Sequence, residues 1–353
     1  MGHHYIDHID HIQYMTKDDL ILVTGGTGFL GSYLLHVLVH RGLRVRALRR
    51  SDSPTDLVQD LAGQVEWIAG DVTDVLGLEA AFTGVTHVFH CAAMVSFHPR
   101  DVRRMMQINV EGTANVVNLA LHHQVKKLVH VSSIASLGRT KERPQLDEAA
   151  KWVTSRSNSQ YAISKYLGEQ EVWRGQAEGL VTAIVNPAII LGSGFWDQGS
   201  ARFFKQVDAG LKFVPMGRSG FVDVRDVAEF MIRLMESDVS GERYILNAEN
   251  VEFRQFFQLI AAALHTTPPS IRVTPLLAEI AWRVEWLKEK ILGTEPMVTK
   301  ESARSSVSSF YYNPEKSLRF GFQYRPLEQT VRETAAQFLM AKKAGLSPRL
   351  LPI

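Results

Sequence analysis

The residues in this chain best suited to chemistry stand in the stretch Tyr161-Ala162-Ile163-Ser164-Lys165. A spacing of four on a helix puts the tyrosine and the lysine on one face, with their ends able to converge on one point. A free tyrosine has a pKa of about 10, too high for easy proton transfer at neutral pH. A neighbouring ammonium favours the phenolate and lowers that value, so Lys165 is expected to tune Tyr161 as an acid/base and also to hold a ribose hydroxyl. Upstream, Lys126-Lys127-Leu128-Val129-His130-Val131 reads as a strand that ends in Ser132-Ser133. Serines leaving a buried strand can simply cap the next element. Beside Tyr161, the Ser133 hydroxyl is placed to steady a substrate oxygen.

Those side chains need a framework, and the first element of it is a glycine turn. The apolar run Leu20-Ile21-Leu22-Val23-Thr24 leads into Gly25, Gly28 and Gly31, spaced Gly-x-x-Gly-x-x-Gly around Thr27, Phe29 and Leu30, and then into a stretch with apolar residues at helical spacing. Strand, tight turn and helix N-terminus together suit a dinucleotide pyrophosphate. A second strand, Leu43–Leu48, ends at Arg49 and Arg50 with no acidic residue before Asp52. An acid there would hold ribose hydroxyls, whereas arginine accommodates a 2′-phosphate, so NADP is favoured with NAD left open. The third strand, Val65–Gly70, ends in Asp71-Val72, placed to meet an adenine ring. The fourth, Thr86–Ala93, runs into Ala92 and Ala93, small enough for close cofactor approach. His90 is expected to be a satisfied residue beside the cofactor and Cys91 a small hydrophobe. Asp101 to His122 reads as one long helix carrying Asn109. Strands alternating with helices predict an α/β fold, a Rossmann-type doubly wound parallel sheet.

Composition sets outer bounds. With 353 residues, 45% hydrophobic and 22% charged, the chain is ordinary for a globular enzyme. Its 39 basic and 37 acidic residues leave a net charge of +2, which argues for neither nucleic acid nor an anionic membrane as partner. The one cysteine excludes an internal disulfide, and with no apolar stretch of membrane-spanning length a cytoplasmic location is expected. Four histidines among the first eleven residues match no closed metal site. Residues 1–19 read as a disordered or tag-like extension with Met15 a candidate natural start, and no metal is expected.

Taken together, Gly25, Gly28, Gly31, Asp71-Val72, Ala92-Ala93, Asn109, Ser133, Tyr161, Lys165 and Asn186-Pro187 resemble the extended short-chain dehydrogenase/reductases, of the NAD-dependent epimerase/dehydratase family, over about residues 20 to 340. The resemblance implies Ser133, Tyr161 and Lys165 as a catalytic triad, Asn109 as support for a proton relay through water, and Asn186-Pro187-Ala188-Ile189-Ile190 as the border of the nicotinamide. It also implies a homodimer built on two long helices per subunit. Dehydratases of this group carry Thr-Asp-Glu where this chain has Ser133-Ile134-Ala135. Many epimerases carry arginine just before the proline after strand six, where this chain has Val185-Asn186-Pro187, closer to the dihydroflavonol-reductase and 3β-hydroxysteroid-dehydrogenase-like branches.

Two domains are expected: a cofactor domain of residues 20–190 plus 221–247, which resumes at Phe221-Val222-Asp223-Val224-Arg225-Asp226, and a smaller, mostly helical substrate domain of 191–220 plus 248–353. Trp196, Phe203, Phe204, Phe213 and Met216 suit either a substrate pocket or a core. The stripe around Trp282 and Trp286 suits interior packing or a dimer face. The expected activity is NADP-dependent interconversion of a carbonyl and a secondary alcohol on a small apolar or aromatic substrate. A sugar-nucleotide epimerase with tightly bound NAD and a non-catalytic NADP sensor are the alternatives.

Overall fold

Leu20–Thr24 (β1) is buried at every position, and its side chains alternate between two cores: Ile21 and Val23 join one, Leu20 and Leu22 the other. A strand apolar on both faces belongs in the middle of a covered parallel sheet. In the computed structural model, which describes residues 15–140, 144–155, 158–292, 299 and 308–353, it occupies that place. Arg44–Arg49 (β2), Glu66–Ala69 (β3), His87–His90 (β4), Lys127–Val131 (β5), the short Gln145–Leu146 (β6) and Thr182–Pro187 (β7) follow in chain order. Ile189–Leu191 (β8), Phe213–Pro215 (β9), Arg218–Asp223 (β10), Glu242–Leu246 (β11), Glu249–Glu252 (β12), Ile271–Val273 (β13) and Tyr311–Tyr312 (β14) complete the strands. Seven form one sheet in the order β11-β7-β5-β4-β1-β2-β3, every pair parallel. The order reverses between β1 and β4, where open α/β sheets bind ligands beyond the strands' carboxyl ends.

Helices cover both faces. Phe29–His40 (α1), Val75–Phe82 (α2), Val102–Met106 (α3), Gly112–His122 (α4), Gln160–Ala177 (α5), Arg202–Asp208 (α6), Val224–Met235 (α7), Phe253–Leu264 (α8) and Pro275–Leu292 (α9) are followed by helices at Glu315–Arg319 and Leu327–Lys343. The expected long helix from 101 to 122 is present but changes its winding at Gln107–Glu111, one π-helical turn joining α3 to α4. Such turns recur at functional sites. Asn109 stands within it.

A third core gathers Leu191, Trp196, Phe204, Phe221, Phe256, Val331 and Phe338 from the segments around β8, β10 and the last helix. Trp196 and Phe204 are thus core residues and not pocket lining, while Phe213 and Met216 are exposed. Phe310, Tyr312 and Phe322 instead join the core beneath the large sheet. Interior packing, one expectation for the tryptophan-rich helix, does not hold: on α9 Leu276, Ile280, Val284, Trp286, Leu287 and Ile291 are all exposed. Residues 1–14 of the expected extension lie outside the described residues. Met15 and Asp19, also assigned to it, are buried, and the Asp19 carboxylate accepts from the Thr16 N–H at 2.9 Å and from Lys126 at 2.8 Å. No described helix is long and apolar enough to cross a membrane.

Candidate active site

The glycine turn is built for close approach. Gly25 has φ +71°, and a Cβ there would lie 2.7 Å from the Ala92 nitrogen, so the turn and the end of β4 are pressed together. A Cβ on Gly31 would collide with the Gly25 carbonyl oxygen. Gly28 caps α1 without any side-chain hydrogen bond, which leaves the helix's first N–H groups and its positive dipole end to an outside acceptor. Thr27 and Leu30 are buried in the turn, and Phe29 packs beneath Gly192 and Gly194. A dinucleotide pyrophosphate fits this cradle.

At the carboxyl end of β2, where the sequence led us to expect the adenosine, Arg49 lies over the Trp67 ring, its guanidinium carbon 5.5 Å from the centroid. Arg50 reaches Asp52 at 3.0 Å and Asp71 at 4.0 Å. Asp71 also accepts from the Thr73 N–H at 2.9 Å, and the buried Val72 offers its carbonyl to Asn115 at 2.9 Å. A cleft lined by Asp71, Arg103, Arg104 and Gln107 opens beside them. Ala92 is half-buried and Ala93 exposed.

Ser133, Tyr161 and Lys165 come together beyond the carboxyl end of β5. Ser133 leaves β5, and its hydroxyl accepts from the Ala135 N–H at 3.1 Å, capping a short 3-10 turn at Ile134–Leu137. The same hydroxyl acts on Tyr161 and draws the phenol's pKa downward. Ser159 caps α5 by accepting from the Ala162 N–H at 3.1 Å, which fixes Tyr161 in the helix's first turn. One turn on, Lys165 is buried and donates to the Val131 carbonyl at 2.8 Å. Asn109 donates to the Met94 carbonyl and the Ser164 hydroxyl, both at 2.9 Å, and accepts from the Met94 N–H at 2.7 Å. The Phe97 ring stands edge-on to Tyr161 at 5.9 Å.

The electrostatics differ from expectation in one respect. Burial raises the Tyr161 hydroxyl above its usual pKa, and what opposes burial is the Ser133 hydrogen bond and the charge of Arg139 rather than Lys165. Burial also brings Lys165 down to about 8, against the pull of Glu169 upward. His90 is buried between the Thr24 hydroxyl at 2.7 Å and the Thr113 hydroxyl at 3.0 Å, and burial lowers it to about 3, as befits a satisfied neutral imidazole. Burial pushes the Cys91 thiol up to about 12, which leaves it inert.

Comparison with known proteins agrees with this geometry. Residues 21–247 match the family model described as the NAD dependent epimerase/dehydratase family. The chain belongs to that family. A Synechocystis sp. protein provisionally named dihydroflavonol 4-reductase is 28% identical over 92% of this chain and 96% of its own length. The 3-beta-hydroxysteroid dehydrogenase of Mycolicibacterium neoaurum is 27% identical over 89% of each. The crystal structure of gox2253 superposes with a TM-score of 0.79 at 31% identity, covering 93% of this chain and 99% of that one. The chain is accordingly an NAD(P)-dependent oxidoreductase of the extended short-chain dehydrogenase/reductase type.

Asn186-Pro187, expected from the sequence to border the nicotinamide, stands at the site beside Glu169 and Arg139, to which the sequence assigned no role. Asn186, from β7, donates to the Ser133 carbonyl at 3.1 Å, the Ser136 hydroxyl at 2.9 Å and Glu169 at 2.5 Å, so its side chain braces the serine from behind. Pro187 is buried and Ile189 half-buried in the segment that follows. Glu169 also accepts from Ser136 at 2.5 Å and pairs with Arg243 at 3.2 Å. Its position four residues after Lys165 on one helix is a signal that could have found it. Arg139, six residues past Ser133, had none.

Proposed function

We propose that this protein is an NADP-preferring oxidoreductase that interconverts a carbonyl and a secondary alcohol on a small substrate with an apolar or aromatic body. The observation carrying this reading is that Ser133, leaving β5, acts on the Tyr161 hydroxyl, while Lys165, one helical turn along α5, is buried and anchored on the Val131 carbonyl at 2.8 Å. When bound, the nicotinamide supplies or takes up the hydride. The chain's own residues manage the proton and the position. In reduction Tyr161 gives its proton to the carbonyl oxygen that the Ser133 hydroxyl holds. Lys165, anchored on Val131, holds the cofactor's ribose and keeps positive charge beneath the site. Asn109 fixes the Met94 backbone and Ser164, and so the wall that carries Phe97 against Tyr161. That aromatic wall, and relatives named for a flavonoid and a steroid, support the apolar substrate body. At the other end Arg50, poised over Asp71, would take the 2′-phosphate.

Replacing Tyr161 with Phe tests the assignment. Turnover of NADPH with a panel of aldehydes and ketones should fall at least about 100-fold, while NADPH binding, followed by its fluorescence, stays as in the parent. Activity within a few-fold of the parent would remove Tyr161 as the proton donor. Purification with stoichiometric NAD and no consumption of added NADPH would favour the epimerase instead. The same reading includes a homodimer, checked by light scattering as twice the chain mass of 39.6 kDa.

A further inference from the structure

Arg139 follows Gly138 at the end of the 3-10 turn that Ser133 caps. Gly138 has φ +73°, and a Cβ there would lie 3.2 Å from the Val153 nitrogen, so this backbone is pressed against the segment leading to α5. The Arg139 N–H donates to Asn158 Oδ1 at 2.8 Å, two residues before that helix begins. Arg139 is thereby held between the element that carries Ser133 and the element that carries Tyr161. Its guanidinium carbon stands 5.4 Å from the Phe310 ring centroid and 6.0 Å from that of Tyr312. Tyr312 is brought there by the parallel pairing of β14 with β6, and the arginine's charge acts on its hydroxyl.

Among the described residues the guanidinium has no counter-ion: no carboxylate there forms an ion pair with Arg139, and its Nε is buried with no acceptor. A cation set among aromatic rings with a donor left unmade costs folding free energy. Such an unsatisfied group beside a reactive side chain is explained where a ligand supplies the acceptor. The planar fork of arginine matches a carboxylate in particular, because two parallel N–H donors meet its two oxygens.

We propose that Arg139 anchors the substrate by pairing with a carboxylate borne close to the carbon whose oxygen meets Ser133 and Tyr161. The substrate class is then an apolar hydroxy acid, or the corresponding oxo acid. The inference deepens the oxidoreductase reading above and rests on it for the reacting carbon. In the oxidative direction the carbinol C–H leaves as hydride to NADP+, the hydroxyl proton passes to the Tyr161 phenolate to give the phenol, and the carboxylate is unchanged. Phe97, edge-on to Tyr161, flanks the apolar part.

The test compares 3-hydroxy-3-phenylpropanoate with its methyl ester, using NADP+ as oxidant, in the parent enzyme and in Arg139→Met and Arg139→Lys. Because Arg139 also acts on Tyr161, the informative quantity is the ratio of kcat/KM for acid over ester, in which that shared effect cancels. A charge-assisted pair is expected to give the parent a ratio of about 100, Arg139→Met a ratio near 1 and Arg139→Lys an intermediate value. A second measurement needs no turnover: with NADP+ present, 3-phenylpropanoate should raise the Tm of the parent but not of Arg139→Met, and 3-phenylpropanamide should raise neither. Where Arg139→Met fails to fold, Arg139→Lys carries both comparisons, and a ratio unchanged in it overturns the proposal. So does a parent with no acid preference, or anion stabilisation equal in parent and variant. Turnover of neutral carbonyls without acid preference would leave the oxidoreductase reading standing and remove only the role of Arg139. Carboxylate binding lost in Arg139→Met without turnover of any substrate would do the reverse.

Discussion

Glu169 is fully buried, and all its charge is spent on neighbours of the triad. One oxygen accepts from Ser136 and Asn186, both at 2.5 Å; Asn186 also donates to the Ser133 carbonyl at 3.1 Å, which lies 2.7 Å from the Ser136 hydroxyl oxygen. The other oxygen faces Arg243 at 3.2 Å. Through space the same carboxylate supports the Lys165 ammonium, which burial otherwise weakens. Glu169 is therefore a positioning residue that acts through Ser133 and Lys165, and its neutral isostere separates two effects. Glu169→Gln should cost about 3 kcal/mol in denaturant melts, the low end for removing one partner of a buried pair, because Arg243 keeps its bonds to the Glu148 and Ala150 carbonyls. The second effect appears in the pH profile. Lys165 is charged below about 8 and loses its proton above, so kcat/KM should decline as pH rises through that value. Without Glu169 the ammonium loses its support and its pKa drops further, which moves the alkaline limb to lower pH. A limb that stays in place while stability falls would mean that Glu169 only holds the fold.

At the scale of elements, the helix pair that carries Asn109 and the tyrosine-lysine face depends on one close contact. Gly168 on α5 sits where a Cβ would lie 2.5 Å from the Asn109 carbonyl oxygen, and backbone cannot move aside as a flexible side chain can. Gly168→Ala should push α5 from the π turn at a cost of about 1–3 kcal/mol. It should also lower kcat more than it raises KM for NADPH, since Asn109 and Tyr161 move relative to each other while the glycine turn is untouched. Steady-state kinetics beside a thermal melt reads both. This contact also marks how far the sequence could be read. Gly25, Gly28, Gly31 and the pair Tyr161 and Lys165 were legible because their geometry is local, within one turn or one helix face. The strands and their parallel order followed from apolar runs alternating with helical ones. Asn109 could be placed on a helix, but nothing local announces that Gln107–Glu111 winds as a π turn, since that depends on packing against α5. Arg139 meets Tyr312 and Glu169 meets Arg243 only after the chain has crossed the sheet. The stripe on α9 carries a helical period whether it faces a core or water, and the period alone left its exposure undecided.

Over the whole molecule, charge is nearly balanced at +2, yet its placement is uneven where the adenosine should lie. Arg50, Arg103 and Arg104 surround one end of the cleft, with Asp52 and Asp71 as the acids among them. The Arg50 hydrogen bond and charge, with a smaller contribution from Arg104, hold the Asp52 carboxyl below its usual range. This arrangement can accept a 2′-phosphate only if Arg50 exchanges its carboxylates for the phosphate, and it can accept a bare ribose if Asp71 is freed to take the hydroxyls. One substitution therefore probes both states. Arg50→Ala should weaken NADPH by about 10- to 100-fold in Kd, the scale of one charge-assisted contact, with NADH unchanged or improved. Fluorescence titration of each nucleotide, at low and at high salt, measures the two constants separately. The NADPH deficit should shrink as salt rises, because this contact lies at an exposed edge and is screened. Equal weakening of both nucleotides would mean that Arg50 supports only the shape of the adenosine pocket, and an unchanged preference would place the phosphate contact on Arg49 or Arg104 instead.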